Sequence, residues 1–232
     1  MEDTIMYSVQ EVIQETDNVV TLKLASESAV PSHKAGQFIT VFFPETGHLE
    51  GKSYSISSAP HEKTFNLTVK GIGLFSNKLI SKKVGDTIIA SPPYGYFYSE
   101  SETSSFVIVT GGIGISPFRS MILDVLKKTP TRKIMLLYAN KTKESIIFKK
   151  EFDELEKLSA GVFSVKYYIT QEETGGTMKH GRIPVRDILK ESKNLQEPEV
   201  FLCGSIAFVR DYWKDLKSLG VNEETIYTEA FF

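Results

Sequence analysis

The stretch of the chain best suited to chemistry is an apolar run that gives way to a glycine-rich turn. In order, it consists of Phe106-Val107-Ile108-Val109-Thr110-Gly111-Gly112-Ile113-Gly114-Ile115-Ser116-Pro117. The apolar residues suit a buried parallel strand, and the glycines let the backbone turn sharply and approach a ligand closely. Ser116 is expected to cap the following helix, and Pro117 fits its first turn. The free N–H groups of such a helix start suit a phosphate, although a tight strand-to-helix connection without a ligand would have the same pattern.

Four further stretches combine small, aromatic and charged residues. They are Lys52-Ser53-Tyr54-Ser55, Gly73-Leu74-Phe75-Ser76-Asn77, Phe201-Leu202-Cys203-Gly204-Ser205 and Tyr227-Thr228-Glu229-Ala230-Phe231-Phe232. Each has an ordinary explanation when taken alone, as alternating strand residues, a capped loop, a small buried cysteine or the end of a core strand. Their value lies in their order along the chain.

The composition limits the classes of function. A net charge of -2 gives no electrostatic case for binding nucleic acid or an anionic membrane. The single cysteine, Cys203, excludes an internal disulfide and a cysteine-ligated iron–sulfur cluster within this chain. No signal peptide or membrane span is recognised, so a cytoplasmic location is expected.

The histidines and serines do not suggest a hydrolase or a metal site. We expect the histidines to lie in surface loops, and they lack the spacing of metal ligands. They are His33, His48, His61 and His180. The Gly-x-Ser-x-Gly motif of a serine hydrolase is absent from the sequence. No metal site is therefore predicted.

The first part of the chain reads as an antiparallel six-stranded β-barrel. Alternating apolar and polar residues predict its strands, and the first two should form a hairpin around Thr16-Asp17-Asn18. One helix is expected at residues 73–80. The predicted strands are residues 7–12, 19–24, 36–43, 53–57, 64–70 and 85–90.

A polar stretch at residues 99–104 predicts a linker, which divides the chain into domains 1–101 and 102–232. Beyond it, strand and helix patterns alternate, which implies a parallel α/β sheet with ligands at the carboxyl ends of its strands. The predicted strands are residues 106–109, 133–138, 164–169, 200–202 and 225–227, and the helices are residues 116–128, 147–158, 184–189 and 206–219. The fold class is therefore a two-domain α+β protein.

A barrel followed by such an α/β domain, with these motifs in this order, resembles the ferredoxin-NADP reductase family of flavoenzymes. The likeness covers nearly the whole chain. It implies an FAD-binding barrel and an NAD(P)-binding α/β domain.

The flavin motif Lys52-Ser53-Tyr54-Ser55 resembles the family's Arg-x-Tyr-Ser/Thr. The resemblance implies that Tyr54 lies against the flavin ring and that the Ser55 hydroxyl hydrogen-bonds near flavin N5. Lys52 stands where the family usually has arginine, so it keeps the charge but loses the two-pronged grip on a phosphate.

A second flavin motif follows the strand that ends at Val69 and Lys70, and the resemblance implies that these two residues also take part in cofactor binding. The stretch Gly73-Leu74-Phe75-Ser76-Asn77 resembles the family's Gly-x-x-Ser segment, which holds the flavin pyrophosphate and favours FAD over FMN. The later stretch Pro93-Tyr94-Gly95-Tyr96-Phe97 resembles the barrel-closing Pro-x-Gly-x-Phe and is expected to be structural.

Taken together with the two flavin motifs, the glycine turn resembles the family's Gly-Gly-x-Gly-x-x-Pro, which binds the NAD(P) pyrophosphate. The residues that this likeness assigns to the cofactor are Thr110, Gly111, Gly112, Gly114 and Pro117. The family binds adenosine at the strand end that here carries Thr170 and Gln171, where NADP-preferring members have Ser-Arg. Because Glu172 and Glu173 follow, NADH is favoured over NADPH, while Lys179 and Arg182 leave an alternative phosphate site open.

The last two motifs concern the nicotinamide. Cys203-Gly204 resembles the family's Cys-Gly beside the nicotinamide, and we expect Cys203 not to act as a nucleophile. Glu229 matches an acid that can help proton movement, and Phe231 or Phe232 matches the terminal aromatic residue that covers the flavin. The resemblance thus implies catalytic roles for Ser55, Cys203 and Glu229.

The implied function is an FAD-dependent NAD(P)H reductase that passes electrons to a separate one-electron acceptor, such as ferredoxin, flavodoxin or an oxygenase component. Two alternatives stay open. One is a free-flavin reductase, and the other is a non-catalytic FAD-binding subunit of a larger complex.

Overall fold

A computed structural model describes residues 4–26, 31–173 and 175–231, and the chain divides into two compact units. Unit 1 comprises Met1–Tyr98 together with Ser116–Asp124, and unit 2 comprises Ser99–Ile115 together with Val125–Phe232. The domain boundary placed after residue 101 stays a prediction. The structure adds that the first nine residues of the thirteen-residue helix Ser116–Lys128 group with unit 1.

Unit 1 contains the six-stranded antiparallel sheet that the sequence predicts. Its strands are β1 (Ile5–Thr16), β2 (Val19–Ser26), β3 (Phe38–Phe43), β4 (His48–Ser55), β5 (Phe65–Lys70) and β6 (Thr87–Ala90), in the order β4-β3-β6-β1-β2-β5. The predicted hairpin is confirmed by the pairing of β1 with β2. A bridge between Ile56 and Leu67 joins the two edges of the sheet and closes it into a barrel.

Alternation along the strands explains the barrel core, because every second side chain points inward. Tyr7, Leu22 and Leu67 are fully buried there. Helix α1 (Leu74–Ile80) adds Phe75 and Leu79 to the same core. A helix of this length is marginal in water, so its packing on the barrel stabilises it.

Unit 2 contains a parallel sheet, as predicted, but with six strands instead of the five predicted, because the short strand Lys179–His180 was missed. Its strands are β7 (Phe106–Gly111), β8 (Ile134–Asn140), β9 (Phe163–Ile169), β10 (Lys179–His180), β11 (Glu199–Ser205) and β12 (Ile226–Phe231), in the order β10-β9-β8-β7-β11-β12. The helices are α2 (Ser116–Lys128), α3 (Lys149–Leu158), α4 (Val185–Lys193) and α5 (Ile206–Ser218). The strand order reverses at β7, which pairs with β8 on one side and β11 on the other.

Two local predictions were wrong. Ser116 does not cap α2: the N-cap residue is Ile115, and the Ser116 hydroxyl donates instead to the Thr68 carbonyl at 3.2 Å. The prediction that the histidines lie in surface loops is wrong for His33, which is only 9% exposed. Its Nε2 lies 3.1 Å from the Ser58 carbonyl oxygen. In both cases a partner distant in sequence decides where the side chain goes.

Candidate functional site

The glycine turn and the Cys-Gly motif come together at the carboxyl ends of β7 and β11 in unit 2. Thr110 pairs with Cys203 across the two strands, and its Oγ1 donates to the Cys203 carbonyl oxygen at 2.9 Å. The backbone of Gly114 also lies close to this carbonyl, since a Cβ at Gly114 would be only 2.6 Å from the oxygen. Two motifs that are far apart in sequence thus share the strand ends where open α/β sheets bind ligands.

Gly112 gives this turn its open face. Its φ of +53° lies in the left-handed region that favours glycine, and no heavy atom lies within 4 Å of the position a Cβ would take. The Tyr138 hydroxyl donates to the Gly112 carbonyl at 3.0 Å, which fixes the peptide orientation. Gly112–Ile115 then forms a 3₁₀ turn that leads into α2, with Pro117 in the first helical turn as predicted. This open, glycine-lined helix start fits a pyrophosphate.

Phe208, on the first turn of α5, was missed by sequence reasoning. Its ring lies 3.3 Å from the ideal Cβ position of Gly111 and 3.0 Å from that of Gly204, so a side chain at Gly204 would displace it. It also contacts the Tyr212 ring, with the centroids 4.7 Å apart. The available signal was an aromatic residue one turn beyond Ser205, the N-cap of α5.

Cys203 is fully buried between its neighbours in the sheet. Burial raises the pKa of its thiol well above the usual value, and the negative charge of Glu229, its register partner on β12, raises that pKa further. The thiol is therefore protonated at neutral pH and unsuited to nucleophilic attack. Phe231 pairs with Ser205 at the end of β12, whereas Phe232 lies outside the described residues.

The strand end proposed for adenosine is exposed. The N–H of Thr170 donates to the Asn140 carbonyl at 3.0 Å, and that of Gln171 donates to the Lys141 carbonyl at 2.9 Å, so the side chain of Gln171 extends from an anchored backbone. The Glu172 carboxylate accepts a hydrogen bond from the backbone N–H of Lys143.

The two candidate phosphate-binding cations have anionic partners. Lys179 Nζ lies 2.6 Å from Asp187 Oδ2, and Arg182 Nη2 lies 3.7 Å from Asp211 Oδ2. Although partial burial alone would raise the pKa of Asp187, hydrogen bonds from Lys179 and Tyr168 lower it below its usual value. The Asp187 carboxyl is therefore ionised at neutral pH.

In unit 1, the first two flavin motifs meet on one aromatic ring. Tyr54 on β4 stacks on Phe75 of α1, with the centroids 6.3 Å apart and the planes 21° apart, and Lys52 Nζ lies 6.0 Å from the Phe75 centroid. Burial raises the pKa of Tyr54 to about 12, so its hydroxyl stays protonated. Ser53 Oγ lies 3.3 Å from Thr40 Oγ1, and Ser55 is buried.

The Ser76 hydroxyl already organises the start of α1. It accepts hydrogen bonds from the backbone N–H of Ile72 at 2.9 Å and of Gly73 at 3.1 Å, and it lies 3.2 Å from the Gly73 carbonyl. The backbone N–H of Asn77 donates to the same carbonyl at 2.8 Å. The space beside Gly73 is open, with no heavy atom within 4 Å of an added Cβ. A pyrophosphate fits there against the backbone, while Ser76 shapes the turn.

Strand β5, which precedes this helix start, ends with Val69 and Lys70, the two residues assigned to cofactor binding. The Val69 side chain lies in the barrel core and is only 1% exposed, which leaves just its backbone for a cofactor. Lys70 ends β5, opposite Val19. The assignment of Val69 and Lys70 to the flavin stays a prediction, and for Val69 it concerns the backbone alone.

The described residues also bear on other kinds of site. Among them, no three His, Cys, Asp or Glu side chains are grouped in a way that could hold a metal ion. Within the described ranges, every helix is too short or too polar to cross a bilayer. Unit 2 has an open cleft of about 490 Å³, in which Arg182 is the one candidate phosphate-binding residue; it is lined by Arg182, Ile183, Pro184, Val185, Asp211, Tyr212, Lys214 and Asp215.

Comparisons with known families and proteins agree with this geometry. Residues 5–98 match the oxidoreductase FAD-binding domain, and residues 108–214 match the oxidoreductase NAD-binding domain. Flavohemoprotein A of Dictyostelium discoideum is 29% identical over 247 residues, covering 99% of this chain and 60% of that protein. The flavohemoprotein of Bacillus subtilis is 30% identical over 217 residues, covering 90% of this chain and 54% of that protein.

Among solved structures, the flavohem-like FAD/NAD-binding domain of nitric oxide dioxygenase from Vibrio cholerae O1 biovar El Tor has the same fold. Its TM-score is 0.82 at 24% identity, and the match covers 99% of both chains. The chain spans little more than half the length of the two flavohemoproteins that it matches.

Proposed function

The chain belongs to the ferredoxin-NADP reductase-like FAD- and NAD-binding oxidoreductases, and from this premise we propose that it passes electrons from reduced nicotinamide through FAD to a separate one-electron acceptor. The observation that supports the proposal most is the shared strand end in unit 2. There Thr110 contacts the Cys203 carbonyl and the backbone of Gly114 leaves no room for a side chain beside it, so the pyrophosphate-type turn and the Cys-Gly motif lie next to each other.

The residues of this chain supply position and electrostatics, and a bound reduced nicotinamide and FAD would supply the hydride chemistry and the one-electron release. In unit 1, the Tyr54 ring would offer a flat apolar face to the flavin, Ser55 would offer a hydroxyl to its ring, and Lys52 would offer a positive charge to a phosphate. The open backbone at Gly73 receives the flavin pyrophosphate, with Phe75 and Asn77 beside it on α1.

In unit 2, the open backbone at Gly112 receives the nicotinamide dinucleotide through its pyrophosphate. Cys203 and Gly204 keep the nicotinamide end free of bulk, because the buried thiol is small and the glycine has no side chain. Glu229 is the acid assigned to proton movement. The assignment of the terminal aromatic cover of the flavin to Phe231 or Phe232 stays a prediction.

We further propose a preference for NADH over NADPH. Thr170 and Gln171 lack the arginine fork that suits a 2'-phosphate. Lys179 and Arg182 are already engaged with Asp187 and Asp211, so neither is a free cation for that phosphate.

The proposed acceptor is a protein such as ferredoxin, flavodoxin or an oxygenase component. A haem protein is a second candidate, because the curated relatives are flavohemoproteins and extend well beyond the matched region. A cytoplasmic location stays a prediction.

The test is to purify the chain, identify its bound flavin by mass and compare steady-state oxidation of NADH and NADPH with ferricyanide as acceptor. Retained FAD with faster NADH oxidation would support the proposal. Loss of flavin on gel filtration, with reduction of added free flavin, would indicate a free-flavin reductase. Retained FAD that neither nucleotide reduces would indicate a non-catalytic subunit. Ferredoxin and cytochrome c, offered separately, would then distinguish the two classes of acceptor.

A further inference from the structure

Within unit 1, Arg119 of α2 is bound to the chain segment that follows β4. Its Nη1 donates to the Ser57 carbonyl at 2.8 Å and to Glu62 Oε2 at 2.9 Å, while its Nη2 donates to Glu62 Oε1 at 3.2 Å. The side chains of Arg119 and Glu62 are only 13% and 26% exposed. This is a two-pronged arginine–carboxylate pair, which fixes direction as well as distance.

Glu62 and the neighbouring serine complete a clamp, by which we mean Arg119, Ser120 and Glu62 bound to the turn of residues 57–62. Glu62 Oε2 also accepts from the Ala59 N–H at 2.7 Å, which holds the turn in shape. The Ser120 hydroxyl donates to the Ser58 carbonyl at 2.7 Å. The helix thus binds consecutive carbonyls of the turn through consecutive side chains.

The clamp lies close in sequence to the residues assigned to both cofactors. Ser57 lies two residues after Ser55, the last residue of β4. The hydrogen bond from Arg119 therefore holds the chain just beyond the strand that carries Tyr54. On the other side, Arg119 lies on the turn of α2 that follows directly from Gly114 and Ile115. The clamp therefore holds the start of α2 against the segment that follows β4, and each of these two segments continues along the chain into residues assigned to one cofactor.

We propose that Arg119 is a positioning residue for the transfer of hydride to the flavin. It acts through the 57–62 turn and the start of α2, and it contacts neither the flavin nor the nicotinamide. The inference rests on the proposed function. Reactions that depend on the approach of two rings are sensitive to displacements of about 1 Å, which can cost roughly a hundredfold in rate.

The experiment measures anaerobic reduction of the FAD-loaded protein by NADH in a stopped-flow instrument, for wild type, Arg119→Met, Arg119→Lys and Glu62→Gln. We expect Arg119→Met to retain FAD and to saturate at a similar NADH concentration, but to reduce its flavin roughly tenfold more slowly. The long-wavelength charge-transfer absorbance of the nicotinamide–flavin complex should weaken in parallel. Arg119→Lys should recover part of the rate, because it keeps the charge but not the fork. Glu62→Gln should change the rate in the same direction.

The matched control is Glu191→Gln, which weakens the partly buried Lys166–Glu191 pair of unit 2. Glu191→Gln should lower thermal stability about as much as Glu62→Gln does, and it should leave the rate of flavin reduction unchanged. A wild-type protein that NADH does not reduce would overturn the proposed function and this inference with it. Normal reduction rates in Arg119→Met and Glu62→Gln would overturn the inference alone. The inference alone would also be overturned if Glu191→Gln slowed flavin reduction as much as Arg119→Met does. It would be overturned likewise if Arg119→Met failed to fold while Glu62→Gln and Arg119→Lys reacted at the wild-type rate.

Discussion

Replacing Gly114 with alanine is expected to disturb the turn at the carboxyl end of β7, because the space that a side chain needs there is occupied. An ideal Cβ would lie 2.6 Å from the Cys203 carbonyl oxygen, 2.8 Å from its carbonyl carbon and 2.8 Å from Thr110 Oγ1. Two of these three atoms are backbone of β11. The turn has to move away from that strand to make room.

The size of the effect follows from two contributions. Overpacking of a well-packed site costs about 1–3 kcal/mol. Moving Thr110 Oγ1 away from the Cys203 carbonyl removes a buried hydrogen bond worth about 0.5–1.5 kcal/mol. The free energy of unfolding should therefore fall by roughly 2–4 kcal/mol, which corresponds to a Tm lower by on the order of 5–15 °C.

Thermal and urea unfolding of Gly114→Ala, Gly112→Ala and Gly175→Ala provide the comparison. Gly112 has open space beside it, so its alanine variant should lose only the roughly 1–2 kcal/mol of a left-handed conformation. Gly175 has neither a positive φ nor a neighbour within 4 Å, so its variant should stay within about 0.5 kcal/mol of wild type. The Km for NADH should rise for Gly112→Ala and Gly114→Ala.

The order of these variants tests the reasoning. If Gly114→Ala unfolded at the same midpoint as Gly175→Ala, the close contact between the turn and β11 would not exist in solution. If Gly112→Ala were the least stable of the three, backbone conformation rather than the Cys203 carbonyl would govern this turn.

Three further predictions concern single side chains. Because burial raises the pKa of the Cys203 thiol, we expect Ellman's reagent to leave the folded protein unlabelled at pH 8 and to react on unfolding. The folded thiol holds its proton more tightly than the unfolded one, so stability should fall as pH rises above about 9, and Cys203→Ala should remove that loss; rapid labelling of the native protein would contradict this. Ser76→Ala should destabilise the start of α1 by about 1 kcal/mol and weaken FAD retention, measured by thermal unfolding and gel filtration, whereas unchanged values would mean that the two N–H groups find other partners. Gln171→Arg should improve kcat/KM for NADPH relative to NADH by roughly tenfold, since a charged hydrogen bond to the 2'-phosphate contributes about 1.5–3 kcal/mol; an unchanged ratio would place the adenosine ribose elsewhere.

Much of the fold could be predicted because it rests on local patterns. The hydropathy of residues 106–109 and the glycines after them identified a strand, a turn and a helix start, and β7 and α2 lie there. The two sheets followed in the same way from alternation in the barrel and from the strand–helix rhythm after it.

The errors concern partners that a local pattern does not contain. The Ser116 hydroxyl binds the Thr68 carbonyl instead of capping its own helix, and His33 is buried because Ser58 offers a carbonyl and Phe65 offers an aromatic edge. Phe208 gains its place from two glycines on different strands, Gly111 and Gly204. Such contacts appear only once the strand order is known.

The way unit 1 is assembled limits where the chain can be joined to a related protein in a chimaera. Phe118 packs on Phe97 at 5.5 Å, and both belong to this unit, although the whole glycine turn separates them along the chain. A chimaera joined at the linker near residue 101 would take Phe97 and Glu62 from one parent and Phe118 and Arg119 from the other. Exchanging the nucleotide-binding half should therefore succeed only when residues 116–124 are inherited together with the barrel.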